Sequence, residues 1–154
     1  MTPPNPIVRV CSLLNQHGAR YFVVGAQACI LHGLIRTTED VDILIQATED
    51  NARRVIAALA ELEDHAAAEL TPRDLLEKVV VKVADEVEVD VSTHARKVGY
   101  EDATGTALST QLDSVTIPYL DLDTLIASKE TYREQDRVDV ARLRKLKRLR
   151  GQSN

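Results

Sequence analysis

Thr37-Thr38-Glu39-Asp40-Val41-Asp42-Ile43-Leu44-Ile45 reads as the entry to a buried strand. Strand side chains alternate between faces, so Asp40 and Asp42 point one way and Val41 and Ile43 the other, toward a core. Two carboxylates on one face repel each other and resist burial. Two readings are open. In one, the pair is a strand end that faces water. In the other, divalent cations lie between the carboxylates, since Mg²⁺ takes oxygen ligands and is commonly held by one or two carboxylates plus substrate phosphates.

Upstream of this strand, Arg36 is placed to pair with a phosphate or with Glu39, and Thr38 puts a hydroxyl beside the proposed metal site. Tyr21-Phe22-Val23-Val24 is a short apolar strand, followed by Gly25 and a helical stretch from Ala26 to His32. Strand, glycine and helix can set backbone N–H groups against phosphate. The same order also serves as a tight turn where a helix packs close to a sheet. Residues 6–17 read as a first helix. Asn5 is its cap, Pro6 suits its first turn, and Ile7, Val10, Cys11 and Leu14 form one apolar face. Gly18 can end it in a left-handed conformation.

Downstream, Ala47-Thr48-Glu49-Asp50 starts a helix whose apolar face is Ala52, Val55, Ile56, Leu59 and Leu62. His65 to Leu70 is ambiguous. Thr71-Pro72-Arg73-Asp74 opens a short helix ending near Glu77. Val79–Val83 and Val87–Val91 flank Ala84-Asp85-Glu86 as a β-hairpin, with Val87, Val89 and Val91 on its buried face and Glu88 and Asp90 opposite. Asp90 is then a third carboxylate at a strand end, able to meet Asp40 and Asp42 if the two strands are neighbours. The plainer reading is a strand with a wet face, to which Glu88 also belongs. Residues 93–113 read as loop, and 115–117 as a short strand stopping before Pro118. Leu120 to Lys129 reads as a helix capped by Asp121 or Asp123, and a last helix runs from Glu134 to Leu149.

Composition narrows the class. The chain has 154 residues, 44% of them hydrophobic, enough for one domain with a real core. The expectation is a single domain over 1–154, with helices 121–149 packed on it. Net charge is -5, which opposes non-specific nucleic-acid binding by the whole surface. The charge is uneven: the six bases from Arg142 to Arg150 have no acid among them, leaving 13 bases against 24 acids elsewhere. That segment fits contact with RNA, DNA or an acidic partner, and equally a solvated helix face whose bases suit a C-terminus. Aromatics at 3% argue against a base-stacking sheet. Cys11 and Cys29 sit among apolar residues with no zinc-type spacing, as reduced thiols of a cytoplasmic protein do. No signal peptide is expected from Met-Thr-Pro-Pro-Asn-Pro, and no stretch is long enough to span a membrane.

Val-Val-Gly-Ala, then Thr-x-Asp-x-Asp on a strand, then a later Val-Asp-Val strand, resembles the polymerase-beta-like nucleotidyltransferase superfamily. The small prokaryotic members related to AbiEii-type abortive-infection nucleotidyltransferases are more similar still. They carry a His-Gly pair, an Arg-x-Thr-x-Asp-x-Asp segment and a C-terminal Lys…Arg-x-x-Asp-x-x-Asp helix. Here these are His32-Gly33, Arg36 to Asp42, and Lys129, Arg133, Asp136 and Asp139. The resemblance covers about residues 7–145. It implies an α/β fold with a small mixed sheet of four to five strands flanked by helices, mainly on one face. It also implies Mg²⁺- or Mn²⁺-dependent transfer of a nucleotidyl group from a nucleoside triphosphate such as ATP to a hydroxyl of RNA, protein or a small molecule. Asp40, Asp42 and Asp90 would be the metal-holding catalytic acids. Gly25 and Ala26 would receive the phosphates, Arg36 and Thr38 would lie near the triphosphate, and Lys129 or Arg133 would contact phosphate or substrate, or hold the two halves together. Active relatives carry Gly or Ser after the glycine; Ala26 keeps the N–H and loses that side-chain donor. The alternative is a weak or inactive binding subunit of a toxin–antitoxin type system, acting as a homo-oligomer or with a partner subunit.

Overall fold

The structure is a computed structural model that describes residues 5–151; the stretch read for a signal peptide lies largely outside them. Helix α1 (Pro6–Gln16) begins where Asn5 accepts the Ile7 N–H at 3.1 Å, and Gly18 follows it at φ +67°. Strand β1 (Tyr21–Val24) leads into α2 (Gly25–Leu31). Strand β2 (Val41–Ile45) is followed by α3 (Glu49–Leu59), whose cap Thr48 accepts the Asn51 N–H. The ambiguous segment is a 3₁₀ turn (Ala66–Glu69). Next come α4 (Pro72–Glu77), with the expected Thr71–Asp74 capping box, and the hairpin of β3 (Val81–Ala84) and β4 (Glu88–Ser92). Asp85 in the hairpin turn accepts the N–H groups of Asp64, Ala66 and Glu86. Burial alone would raise its pKa, but these donors hold it below the usual carboxylate range.

Residues 93–113 are not the loop the sequence suggested. They form a two-stranded ribbon of β5 (His94–Ala95) and β6 (Val98–Gly99), a short helix α5 (Tyr100–Ala103), and β7 (Leu108–Leu112). β7 is mostly exposed and polar, so it lacks the alternation that marks a half-buried strand. It is held instead by its ladder with β8 (Val115–Tyr119), through a two-residue turn at Asp113 and Ser114, both at positive φ. β8 also runs through Pro118 rather than stopping before it. The chain closes with α6 (Leu122–Ser128) and α7 (Glu134–Gly151). Asp121 stands at the N-cap of α6 but makes no cap bond, and instead accepts from the Thr106 hydroxyl.

The sheet is mixed and six-stranded, in the order β3-β4-β2-β1-β8-β7, larger than the four to five strands expected because β7 joins it. β2 and β4 pair in parallel, with Asp42 opposite Asp90, while β1 runs antiparallel to β2 with Val24 opposite Asp42. The start of β2, the start of β4 and the end of β1 therefore meet at one end of the sheet. Val41, Ile43 and Ile45 are fully buried, and α1 packs against α3, β2 and β8. Leu44, on the face of Asp42, is also fully buried, and its neighbour Phe22 stacks on Tyr100 of α5 with ring centroids 4.8 Å apart. Both faces of the sheet are thus covered around Phe22 and Leu44, not chiefly one. α7 joins the rest through Lys147–Asp123 and through Arg150, which donates to the His32 carbonyl. No helix among the described residues is long and apolar enough to cross a membrane.

Candidate functional site

Parallel pairing of β2 with β4 sets two carboxyl pairs face to face. Asp42 meets Asp90 within β2 and β4, and Asp40, one residue before β2, meets Glu88. Oxygen atoms of Asp40, Glu88 and Asp90 lie within 4.8 Å of one another, close enough for one cation to be ligated by all three. Asp42 falls outside that group and sits deeper, against Asp90. Burial, then the contact with Asp90, pushes the Asp42 carboxyl up to about 7. Contact with Asp40 raises Glu88 above its ordinary value. Among the described residues, Asp90 Oδ1 is the buried side-chain oxygen with no hydrogen-bond partner. A set of acids that repel, with one buried oxygen unsatisfied, fits hard divalent cations, which neutralise the charge and supply the missing partner.

Backbone details fix these acids. Thr38 Oγ1 accepts the Asp40 N–H at 2.9 Å, so the hydroxyl turns the chain into β2. Gly25 adopts φ +64°, and a Cβ there would collide with the Asp42 carboxyl group. Both the left-handed backbone and the close approach call for glycine. Gly25→Ala is expected to cost about 1–3 kcal/mol of stability in thermal denaturation and to displace Asp42. A variant as stable as the wild type would show that this end of β1 yields freely.

One cavity of about 580 Å³ is lined by all nine residues the sequence singled out: Gly25, Ala26, Arg36, Thr38, Asp40, Asp42, Asp90, Lys129 and Arg133. Not all are equally available within it. Arg36 pairs neither with Glu39 nor with open space; its guanidinium bonds Asp139 of α7. Lys129 is buried and donates to Asp139 at 2.8 Å and Asp136 at 3.4 Å, tying the end of α6 to α7. Gln135 also donates to Asp139. Burial by itself would raise the Asp139 carboxyl, but Lys129, Gln135 and Arg36 together hold it below the usual range. Arg133 is exposed, with Asp136 at 3.9 Å. Val79 and Val80, expected to begin β3, are exposed and line the cavity, because β3 first pairs with β4 at Val81.

Two residues were missed by sequence reasoning. Glu88 was on the right face two residues before Asp90, and the Glu-x-Asp spacing mirrors Asp40-x-Asp42; that symmetry was the available signal. Asp139 stands out in the sequence only as part of the C-terminal motif, and no local pattern announces a partner 103 residues from Arg36. His32 is a structural residue at the end of α2. Its Nε2 bonds the Leu120 carbonyl at 2.8 Å, and burial lowers its pKa. Cys11 and Cys29 are free and buried.

No protein-family model matches the chain, and no curated protein does. Among solved structures, it is similar to a Thermotoga maritima protein provisionally described as a nucleotidyltransferase. The two share 16% identity and a TM-score of 0.51, over 93% of this chain and 87% of that one. A likeness at this identity speaks for the fold alone: the six-stranded mixed sheet with its flanking helices is the arrangement the two proteins share.

Proposed function

We propose that the chain transfers a nucleotidyl group from a nucleoside triphosphate to a hydroxyl acceptor, with Mg²⁺ or Mn²⁺ held by Asp40, Asp42 and Asp90. The observation that carries this reading is the facing carboxyl groups on β2 and β4, with Asp90 Oδ1 unsatisfied, in the wall of a cavity that Arg36, Lys82, Lys129 and Arg133 also line. The order of its motifs favours the AbiEii-related members of the superfamily.

In the proposed reaction the acceptor oxygen forms a bond to the α-phosphorus, the bond from that phosphorus to the β-bridging oxygen breaks, and pyrophosphate leaves. The hydroxyl proton passes to Asp90. When bound, divalent cations would lower the pKa of the hydroxyl and neutralise charge on the leaving oxygens. The backbone after Gly25 would receive the phosphates, with Arg36, Thr38, Lys129 and Arg133 around the triphosphate. Exposed Val79 and Val80 offer apolar surface to the sugar or base. Glu88 adds a fourth carboxylate beside Asp40. Glu88→Gln is expected to weaken Mn²⁺ binding about tenfold by calorimetry, on the scale of other residues that support a metal site. Unchanged affinity would make Glu88 a bystander.

The test is incubation of the protein with each labelled triphosphate, Mg²⁺ or Mn²⁺, and RNA or cell lysate, with Asp42→Asn alongside. Label carried onto an acceptor by the wild type alone supports the reading; no binding of triphosphate or cation by calorimetry sinks it. One observation favours a second reading, a nucleotide-binding subunit without turnover: Arg36 and Lys129 are already engaged by Asp139. Triphosphate binding with no transfer, or transfer only with a second chain, would support that one.

A further inference from the structure

The six-stranded sheet has two open edges, β3 and β7, and they differ. Natural edges are blunted by charge, proline or bulges, because a row of free N–H and C=O groups invites another strand. β3 carries Lys82, which is exposed and lies beside Glu88. The stretch from Thr106 to Leu112 has no charged residue, in a chain that is 28% charged, and no proline. The register of β7 on β8 is continuous, with no bulge. Opposite residues of an antiparallel pair alternate between bonded and unbonded. Ser109 lies opposite Pro118, which has no N–H to give, so that pair is unbonded, and by alternation so is Gln111–Thr116. Leu108, Thr110 and Leu112 therefore bond β8. Ser109 and Gln111 direct their N–H and C=O groups the other way, to the open edge. Both residues are exposed, as is Leu108 at 42%.

We propose that β7 pairs antiparallel with β7 of a second copy of this chain, about a two-fold axis at Thr110. In that register Ser109 of each copy stands opposite Gln111 of the other and exchanges both backbone hydrogen bonds with it. Leu108 of each copy meets Leu112 of the other in an unbonded pair, where side chains approach most closely, and its exposed apolar surface is covered. Asp113, the acid that follows β7, does not oppose the pairing. Its two copies lie three residues either side of the axis, roughly 20 Å apart at about 3.4 Å per residue, well beyond the screening length at physiological salt. A strand of another protein would satisfy the same backbone groups. The match of Leu108 to Leu112 and of Ser109 to Gln111 about one centre, however, is a property of this strand with itself. The assembly closes at two copies, because the remaining edge is the one guarded by Lys82. The axis stands perpendicular to the sheet, so the acidic ends of β2 and β4 in the two copies open at opposite ends of one continuous sheet. Neither copy covers the acids of the other, and the inference stands apart from the proposed transfer.

The test is sedimentation velocity over a concentration series up to about 100 μM, since an interface of one strand is small and weak. The wild type is expected to pass from 17.0 kDa to twice that mass as concentration rises. Ser109→Lys combined with Gln111→Lys sets lysine against lysine at both pairs and is expected to weaken the dimer about tenfold. Ser109→Lys combined with Gln111→Glu sets lysine against glutamate and is expected to dimerise at least as tightly as the wild type. Both positions are exposed, and a thermal melt verifies that each variant is folded. The two double variants crowd the edge alike and differ in charge pairing, so their contrast reads the register. A wild type that stays at 17.0 kDa overturns the assignment and leaves the edge to a strand of another protein. A Lys–Lys variant that dimerises as the wild type does, or a Lys–Glu variant that fails with it, overturns the assignment too. Amide exchange gives a second reading. The N–H groups of Ser109 and Gln111 are expected to exchange about tenfold more slowly in the dimer, while Thr110, already bonded to β8, is protected at every concentration. A dimer in which Ser109 and Gln111 exchange as in the monomer places the interface elsewhere and overturns the proposal.

Discussion

Asp42→Asn is expected to lower the proposed nucleotidyl transfer by about a thousandfold or more, because a carboxylate proposed to help hold the cations would be replaced by a neutral amide. The same substitution should make the metal-free protein less sensitive to alkali. Burial and the Asp90 carboxyl raise Asp42 to about 7 in the folded chain, above its ordinary value of 3.8. The folded state therefore binds that proton more tightly than the unfolded state. The stability this confers is complete below the ordinary value and is lost as pH rises through about 7. In EDTA the wild-type Tm should fall between pH 5 and pH 8, and the Asn variant should show a flatter profile. Adding Mg²⁺ at pH 8 should restore the wild-type Tm, because a cation held by the proposed site would bind the folded state alone. Transfer surviving in the variant at a tenth of the wild-type rate would remove Asp42 from the reaction. An equally steep Tm profile in the variant would place the raised proton elsewhere.

Asp139→Ala is expected to cost about 3–5 kcal/mol of stability, the scale for removing one partner of a buried ion pair. Asp139 is fully buried and Lys129 is 7% exposed, so Lys129 cannot turn to water without moving α7, whereas Arg36 already lines the cavity. Asp136 retains some contact with Lys129 but lies nearer the surface, so Asp136→Ala should cost less. Urea unfolding measures both. A loss below about 1 kcal/mol for Asp139→Ala would mean that the cluster hydrates readily, and that Asp139 does not fix the cavity wall.

Local signals carried α1, α4 and the β3–β4 hairpin. Asn5 with Pro6, the Thr71–Asp74 box and the alternating valines each act within a few residues. The stretch 93–113 escaped because β7 draws its stability from backbone pairing at the sheet edge, and because Asp113-Ser114 makes a turn more often built from Asn-Gly. At the site, the spacing of Asp40 and Asp42 and the placing of Asp90 were legible as faces of strands. Their meeting was not, because register between strands so far apart in the chain depends on everything packed between them. The same holds for Arg36, whose local neighbour Glu39 was the obvious partner and whose actual partner lies on the last helix.

The parallel neighbours β2 and β4 also govern when the site can exist as the chain folds. The intervening crossover, through α3 and α4, must close before the two carboxyl pairs approach, and closing a long loop is a slow step at high contact order. Until then the acids are apart and offer a cation no more than any scattered carboxylates do. Cations should therefore slow escape from the native state and leave the rate of reaching it nearly untouched.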